Sequence, residues 1–323
     1  MVYLYSPCGL YSFICYNIDM LKIVILGSSD MLYNVIEGVC ATTSEIVGVM
    51  NWKDIRKKTL KDFFTQDFLN TYINQKQLYS IKAKSANSEE FKKELIKLNP
   101  DLMIVCTWGE KIKKEIFSIP KIATINIHPS LLPKYRGANP YSRVIMFGER
   151  KTGLTFHLMD ENFDTGAILF QKEFEIFDTD NALTLKQRLA SQLKNLIPEF
   201  LNKIEHEILT PIPQDEKISS YYSHVSQDEI VVEPNLMTYK EIDERVRGLA
   251  PHQSTYLLYK DEYFKIKKYS LTEKYIPQNK ANITLKTKDN KLIYFENLRS
   301  LGKFKKYFSS IILNALYKNE NIG

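Results

Sequence analysis

Over the first two hundred positions, two kinds of segment alternate along the chain. Short runs of consecutive apolar residues are followed by longer segments in which apolar residues recur every three or four positions. The continuous runs have the length of buried strands, and the recurring spacing is that of amphipathic helices. The predicted strands are Leu21–Leu26, Glu45–Met50, Asp101–Thr107, Ile122–Ile127, Leu154–Met159 and Ala167–Ile176. The predicted helices are Met31–Cys40, Ser88–Leu98 and Ala182–His206. Strands that alternate with helices predict an α/β domain with a doubly wound, Rossmann-like sheet.

The pattern changes after Pro211–Asp215, a proline-containing stretch that cannot extend the preceding helix and is interpreted as a linker. Beyond it, a helical segment at Thr238–Leu249 is followed by short stretches of alternating apolar and polar residues. These stretches are Tyr256–Lys260, Tyr263–Tyr269, Ala281–Lys286 and Lys291–Glu296. Short strands at this density predict a small β-barrel-like domain of the OB type. The predicted organisation is an N-terminal extension at 1–20, a first domain at 21–208, the small barrel at 217–306 and a tail at 307–323.

Composition sets broad limits. The 323 residues are 44% hydrophobic and 25% charged, which is enough for a large buried core. The formal net charge of +6 suits an anionic partner without selecting one. The cysteines Cys8, Cys15, Cys40 and Cys106 stand singly, so a reducing, cytoplasmic setting is expected. Residues 1–20 are apolar but interrupted by polar residues, which favours an appendage over a signal peptide or a membrane span.

Polar side chains suited to chemistry follow two of the predicted strands. Asn126 and His128 are two residues apart at the end of one strand, so their side chains emerge on the same face. Asp164 follows another strand and begins an Asp-Thr-Gly sequence. Between them, Pro129–Gly137 contains two prolines, a basic and aromatic tip and a closing glycine, which suits a shaped loop beside a pocket. A lone histidine on an apolar strand is more often structural, but this combination indicates a site.

The stretch from Thr124 to Gly166 resembles the N10-formyltetrahydrofolate-dependent formyltransferase family in order, spacing and content, with Asn-x-His, then SLLPKYRG, then Asp-x-Gly. That family includes methionyl-tRNA formyltransferase, glycinamide ribonucleotide formyltransferase and the sugar N-formyltransferases. The resemblance covers residues 21–305, strongly in the first domain and diffusely in the second. It implies N10-formyltetrahydrofolate as the cosubstrate and Asn126, His128 and Asp164 as the catalytic triad.

The three residue types suffice for formyl transfer to an amine. Asn126 and His128 can each donate a hydrogen bond to the oxyanion, and such a donor is typically worth about 2.7–4 kcal/mol. Asp164, with a water, can hold the histidine protonated or accept the proton of the amine, and such acid–base help contributes about 10²–10⁴-fold. The sequence leaves open which residue accepts the proton.

The resemblance also implies a pterin pocket at the carboxyl ends of the strands, where open α/β sheets bind ligands. Its implied lining residues are Trp108, Gly109, Lys111, Ile112, Leu158, Met159 and Asp160. No metal is indicated, because the five histidines lack a ligand spacing such as H-E-x-x-H. His157 is interpreted as a satisfied, half-buried strand residue. A hydrolase that uses Ser130 as a nucleophile is disfavoured, because there is no G-x-S-x-G.

Two classes of acceptor amine compete. A methionyl-tRNA enzyme needs basic surfaces, which Lys53–Lys61 and the lysines of 260–306 offer in part. A sugar-nucleotide enzyme needs an aromatic platform for the base and cations for the pyrophosphate. The candidate substrate-binding residues are Lys134, Tyr135, Arg136, Asn139, Arg143, Tyr221 and Tyr222.

Sequence features favour the sugar nucleotide. Tyr221 and Tyr222 before Asp228 resemble the corresponding segment of the sugar enzymes, and Ile230–Glu233 stands where many translation enzymes have I-D-W. The favoured acceptor is a dTDP- or UDP-linked 4-amino-4-deoxy sugar, 4,6-dideoxy in form, used for O-antigen or other surface polysaccharide biosynthesis. The alternative is methionyl-tRNA. A homodimer is expected, because sugar enzymes of this family are commonly dimers and a small barrel offers a strand edge.

Overall fold

The computed structural model of the chain describes residues 20–55, 68–206, 209–276, 279 and 281–303. Three regions interpreted from the sequence lie outside the described residues: the extension up to residue 19, positions 56–61 of the lysine-rich stretch, and the tail at 307–323. None of the described helices has the length and apolar character needed to cross a membrane.

The described strands and helices reproduce the predicted alternation. The strands are β1 (Lys22–Gly27), β2 (Glu45–Asn51), β3 (Leu102–Cys106), β4 (Ala123–His128), β5 (Arg136–Gly137), β6 (Lys151–Leu158), β7 (Ile168–Glu175), β8 (Tyr221–Tyr222), β9 (Val231–Val232), β10 (Tyr256–Tyr259), β11 (Glu262–Lys265), β12 (Lys268–Thr272), β13 (Ile283–Lys286), β14 (Leu292–Glu296) and β15 (Arg299–Lys303). The helices are α1 (Ser29–Cys40), α2 (Trp52–Ile55), α3 (Phe68–Gln75), α4 (Glu89–Leu98), α5 (Lys114–Phe117), α6 (Pro140–Met146), α7 (Ala182–His206) and α8 (Tyr239–Leu249).

One sheet contains most of the strands of the first two hundred residues, in the order β2-β1-β3-β4-β6-β7. The β1/β2, β1/β3 and β3/β4 pairs are parallel, and β6 runs antiparallel to β4. Every residue of β3 is buried, as expected for a strand covered on both faces. The prediction of an α/β fold with a parallel-rich sheet is therefore confirmed.

Local capping signals explain where two helices begin. The Ser88 side chain accepts the backbone N–H of Phe91 at 3.2 Å, which satisfies one of the free donors at the start of α4. At the start of α8, Thr238 and Glu241 form a reciprocal capping box. Both helices end at the last residue expected from their apolar spacing.

The chain forms two compact units. Of the described residues, one unit comprises those up to Gly137, those of Thr152–Phe174 and those of Gln187–Tyr221, and the other comprises those of Ala138–Lys151, those of Glu175–Lys186 and those from Tyr222 onward. The second unit thus includes two segments that the sequence analysis assigns to the first domain. Within this unit α6 packs closely on α8, since a Cβ at Gly248 would lie 2.6 Å from Met146 Cγ. Local composition, from which the predicted boundaries are drawn, carries no signal of such a contact.

The second unit has two small sheets, β15-β11-β10-β9 and β12-β14-β13. Both contribute to one apolar core, with Leu257 and Phe264 from the first sheet and Ile293 and Phe295 from the second. The segment predicted as a single strand at Tyr263–Tyr269 is divided between β11 and β12. A C-terminal β region is present, and its assignment to the OB type stays a prediction.

Candidate active site

The carboxyl end of β4 carries two of the predicted catalytic residues. Asn126 is paired in register with Val105 of β3 on one side and with His157 of β6 on the other. His128 is the last residue of β4, and its side chain is 6% exposed. Since residues two apart share a strand face, both side chains point to the same side of the sheet, as the sequence predicts.

Asp164 meets these two side chains. Its Oδ1 accepts a hydrogen bond from Asn126 Nδ2 at 3.1 Å and lies 3.5 Å from His128 Nδ1. Its Oδ2 accepts the backbone N–H of Gly137 at 2.8 Å. The structure therefore brings the three predicted catalytic residues into one cluster.

The backbone around Asp164 explains the Asp-x-Gly spacing. Asp164 has a φ of 57°, a left-handed conformation that aspartate tolerates better than most residues. Two residues later, a Cβ at Gly166 would lie 1.8 Å from the carbonyl oxygen of Leu158. Only glycine fits at position 166, and the turn that carries Asp164 toward β4 depends on it.

The ring of His128 is oriented from both sides. Its Nε2 lies 2.8 Å from the carbonyl oxygen of Tyr135, so the Nε2–H is the donor and Nδ1 faces Asp164. Burial lowers the pKa of His128, and the Asp164 charge and the Tyr135 carbonyl oppose this only in part. The ring is consequently neutral at neutral pH.

Asp164 remains ionised beside this neutral ring. Burial raises its pKa, but His128, which becomes a cation in acid, together with His157 and the Gly137 N–H, outweighs that effect and lowers the pKa well below its usual range. At neutral pH the cluster thus pairs a carboxylate with an unprotonated imidazole nitrogen.

His157 belongs to the same cluster, which the sequence analysis did not anticipate. Its Nδ1–H donates to the carbonyl oxygen of Leu158 at 2.8 Å, leaving Nε2 to accept from Asn126 Nδ2 at 3.0 Å. The same Nε2 lies 3.6 Å from Asp164 Oδ1. The expectation that His157 is buried and satisfied holds, but its partner is a predicted catalytic residue. Only the register of β6 against β4 could have revealed this.

The loop that follows β4 is anchored by the neighbouring strands. Thr155 Oγ1 donates to the carbonyl oxygen of Ser130 at 2.6 Å, and Gln171 Nε2 donates to that of Leu132 at 3.0 Å. The buried Ser130 hydroxyl donates to the carbonyl oxygen of Lys134 at 2.7 Å. Ser130 is thus a loop-stabilising residue, in line with the rejection of a serine nucleophile.

The residues expected to line a cofactor pocket divide into two loops. Trp108 lies beside a core cluster that contains Ile112, and Met159 packs against the same cluster. The Trp108 ring meets the Trp52 ring edge-on, with centroids 4.9 Å apart, and a Cβ at Gly109 would lie 2.5 Å from Trp52. The indole Nε1 of Trp108 is buried and has no hydrogen-bond partner among the described residues.

The second loop is shaped by Asp160. Its carboxylate accepts from the backbone N–H of Asn162 at 3.0 Å and from the Thr165 hydroxyl at 2.7 Å. Asp160 thus stabilises the turn that leads from Leu158 to Asp164. In the first loop, the exposed Lys111 places its ammonium 5.9 Å from the centre of the Phe163 ring.

Two arginines expected near a substrate phosphate are instead bound to carboxylates. The Arg136 guanidinium, 6% exposed, is paired with Glu216 at 2.7 Å and donates to Gln214 Oε1 at 3.0 and 2.9 Å. In the second unit, Arg143, 3% exposed, is paired with Glu229 and donates to the carbonyl oxygen of Ser223 at 3.0 Å. Buried guanidinium groups need such partners, so these two are committed within the protein and do not offer a pyrophosphate site.

The other candidate substrate residues lie mostly at the surface. Lys134 and Asn139 are exposed, and Tyr221 is 59% exposed. Tyr135 contributes its backbone carbonyl to His128. In the second unit the Tyr222 ring lies 5.1 Å from that of Phe147, which is 52% exposed.

Among the described residues, no group of three or more His, Cys, Asp or Glu side chains could hold a metal ion.

Comparison with known proteins connects this geometry to a chemistry. Residues 21–201 match the sequence profile described as formyl transferase. The chain is 42% identical over 185 residues to the methionyl-tRNA formyltransferase of Thermodesulfovibrio yellowstonii, covering 57% of this chain and 59% of that protein. It is 32% identical over 212 residues to the methionyl-tRNA formyltransferase of Kosmotoga olearia, covering 66% of this chain and 68% of that protein.

Solved structures share the fold. The N-formyltransferase of Helicobacter canadensis, in complex with folinic acid and dTDP-3-aminofucose, superimposes with a TM-score of 0.63 over 87% of this chain and 100% of that chain. The sequence identity is 20%, so this likeness is one of architecture.

Proposed function

The chain belongs to the formyl transferase family, and from this premise we propose that it moves the formyl group of N10-formyltetrahydrofolate to a primary amine. The observation that carries the proposal is the meeting of Asn126, His128 and Asp164 at the carboxyl end of β4. Ligands of open α/β sheets bind at this edge, so the cluster lies where a substrate is expected.

The residues predicted to line the cofactor pocket suit the cosubstrate. Trp108 and Met159 are apolar and pack against a core cluster that contains Ile112, and the buried indole N–H of Trp108 lacks a partner among the described residues. An apolar surface with one spare donor suits a flat heteroaromatic ring such as a pterin. The exposed ammonium of Lys111 suits the anionic tail of a folate.

N10-formyltetrahydrofolate supplies an activated formyl carbon. In the proposed mechanism Asn126 donates an amide N–H to the oxygen on which negative charge develops. Its two N–H groups donate to Asp164 and His157, at 3.1 and 3.0 Å, so one of them exchanges that partner for the substrate oxygen when the substrate binds.

His128 takes the proton of the attacking amine and returns it to N10 of the cosubstrate as the bond between N10 and the formyl carbon breaks. Its Nδ1 is unprotonated at neutral pH, because burial lowers the pKa of His128. Asp164 remains ionised 3.5 Å away and stabilises the imidazolium that forms. This assigns the proton to His128 and the electrostatic role to Asp164, a choice that the sequence leaves open.

We propose a nucleotide-linked 4-amino-4-deoxy sugar as the acceptor. The Tyr221 ring, 59% exposed, provides an aromatic surface on which a pyrimidine base could stack. Since Arg136 and Arg143 are committed to carboxylates, contact with the pyrophosphate falls to exposed lysines such as Lys134.

Initiator methionyl-tRNA is the second candidate, and a specific observation favours it. Both relatives compared above carry the name methionyl-tRNA formyltransferase, at 42% and 32% identity. Either acceptor would require the candidate triad. The acceptor must therefore be decided by experiment.

The deciding experiment offers both acceptors. The purified chain is incubated with N10-formyltetrahydrofolate and either dTDP- or UDP-4-amino-4-deoxy sugars or methionyl-tRNA, and a mass gain of one formyl group is measured. Formylated sugar nucleotide is expected, and formylated methionyl-tRNA alone would replace the sugar proposal. Absence of transfer to any amine would remove the proposed function. Asp164→Asn serves as the control for background transfer.

A further inference from the structure

The stretch Gln214–Ser220 begins within the predicted linker. It is hydrogen bonded to the loop that follows β4 and to the turn that carries Asp164. The Gln214 amide nitrogen donates to the carbonyl oxygens of Asp164 and Gly166, at 2.8 and 2.7 Å. Its amide oxygen accepts from Arg136 Nε and Nη2, at 3.0 and 2.9 Å. The whole hydrogen-bonding capacity of this side chain is therefore used.

The remainder of this stretch binds the loop after β4. Ser220 Oγ accepts the backbone N–H of Tyr135 at 2.9 Å, and the Ser220 carbonyl oxygen accepts that of Arg136 at 2.9 Å. Ser220 in turn donates its N–H to the carbonyl oxygen of Pro133 at 3.2 Å. Glu216 pairs with the Arg136 guanidinium at 2.7 Å. We call Gln214–Ser220 the strap.

The loop held by the strap supplies the groups that orient the histidine and the aspartate. Tyr135 offers its carbonyl oxygen to His128 Nε2 at 2.8 Å, and Gly137 donates its N–H to Asp164 Oδ2 at 2.8 Å. Gln214 joins this loop, through Arg136, to the backbone of Asp164 itself. One side chain thus connects the segment that orients His128 with the segment that carries its carboxylate partner.

We propose that Gln214 is a positioning residue that sets the distance between His128 and Asp164 by joining Arg136 to the Asp164–Gly166 backbone. The role in catalysis rests on the proposed function, but the geometric role does not. Tight hydrogen bonding at both ends distinguishes Gln214 from a spacer, and misplacement of a catalytic group by about 1 Å can cost 10²-fold in rate.

The first test needs no substrate. The titration of His128 is followed by NMR in the full chain and in Gln214→Met, which is of similar size and keeps none of the four hydrogen bonds. The resonance of the His128 ring is identified as the one that is lost in the His128→Asn variant. Release of Asp164 weakens the charge that favours the imidazolium, so the pKa of His128 should fall, by about 0.8 unit for the first ångström at an effective dielectric constant of about 20.

Two matched variants bracket this result. Glu216→Gln removes the charge opposite Arg136 but leaves Gln214 in place, and Gln75→Met makes the same replacement at an exposed position of α3. Neither should move the His128 titration by more than about 0.2 unit, since the Gln214 hydrogen bonds remain. Equal shifts in Gln214→Met and Glu216→Gln would overturn the specific role of Gln214.

The second test measures formyl transfer. Gln214→Met should lower kcat by about 10–100-fold and leave KM for N10-formyltetrahydrofolate within about threefold, because orientation and not binding is lost. An unchanged His128 titration together with a wild-type kcat would overturn the proposal. Failure of both Gln214→Met and Gln214→Glu to fold would overturn it in favour of a structural role. A wild-type chain without transferase activity would refute the proposed function, while the NMR result would still decide the positioning role.

Discussion

The candidate site depends on how few hydrogen-bonding choices are left to each side chain. Asn126 has two N–H groups, and they meet Asp164 and His157. His128 has its Nε2–H on the Tyr135 carbonyl, so only Nδ1 can take up a proton. A buried side chain whose hydrogen bonds are all assigned is held in one orientation, which is the condition for efficient proton transfer.

His157 offers a prediction at this scale. His157→Leu removes the acceptor of an Asn126 N–H while it preserves an apolar strand position. Loss of one orienting hydrogen bond, worth about 0.5–1.5 kcal/mol, should lower kcat by roughly 2–12-fold. Steady-state kinetics check this, with His224→Leu at an exposed position as the control. Equal kcat values in the two variants would exclude a role for His157 in aiming Asn126.

The pH dependence of kcat tests the assignment of the proton acceptor. His128 must be unprotonated to act, and burial lowers its pKa. We therefore expect kcat to stay constant as the pH falls to about 6.5, the ordinary pKa of a histidine, and to decline only below that pH. Asp164 has a lowered pKa and stays ionised over this range. Asp164→Asn removes a charge that raises the pKa of His128, so the acid limb should move to still lower pH while the rate falls by about 10²–10⁴-fold. A limb that moves to higher pH would contradict this assignment.

At the scale of elements, the turn between β6 and β7 is tightly constrained. It brings Asp164 within reach of Asn126 and His128, and it packs the backbone of Gly166 against the carbonyl of Leu158. The Asp160 carboxylate and the Thr165 hydroxyl stabilise the same turn from within. The Asp-x-Gly sequence is thus a backbone requirement as well as a chemical one.

Two glycine variants test this requirement. In Gly166→Ala the new Cβ would meet backbone at 1.8 Å, so the turn must open, and we expect a loss of more than about 4 kcal/mol in the free energy of unfolding. In Gly148→Ala the φ of +67° is strained, but the nearest atom belongs to the flexible Glu244 side chain, so about 1–2 kcal/mol is expected. Denaturant unfolding measures both. Similar losses would mean that the turn adapts to a side chain.

The charge of the whole molecule bears on the acceptor. The net charge is +6, yet two of the candidate substrate cations, Arg136 and Arg143, are neutralised by Glu216 and Glu229. Exposed lysines such as Lys134 and Lys111 remain for an anionic substrate. Dispersed lysines bind a small diphosphate with few contacts and a polynucleotide with many.

Salt dependence therefore separates the acceptors. For a sugar nucleotide, KM should rise by less than about tenfold between 50 and 200 mM salt, because two phosphates are contacted. For a tRNA bound through six or more phosphates, affinity should fall by about 10³-fold or more over the same range. A steep salt dependence of KM for the preferred acceptor would contradict the sugar-nucleotide proposal, and the salt response of KM for N10-formyltetrahydrofolate serves as the internal control.

What the sequence by itself determined is local in origin. Apolar spacing predicts the alternation of strands and helices, because a buried face imposes its period on neighbouring residues. The spacing of Asn126 and His128 on one strand, and the glycine two residues after Asp164, likewise express short-range backbone geometry. The α/β fold follows from these signals, and the three predicted catalytic residues follow from them together with the family resemblance.

What only the tertiary structure decided involves contacts between residues distant in the chain. Arg136 and Gln214 are separated by 78 positions, and Asn126 and His157 by 31. The neutralisation of two arginines, the part of His157 in the cluster and the strap all come from such pairs. The register of the strands and the path of the loops determine which partners the buried polar groups find. The sequence periodicity that predicts helices and strands does not identify these partners.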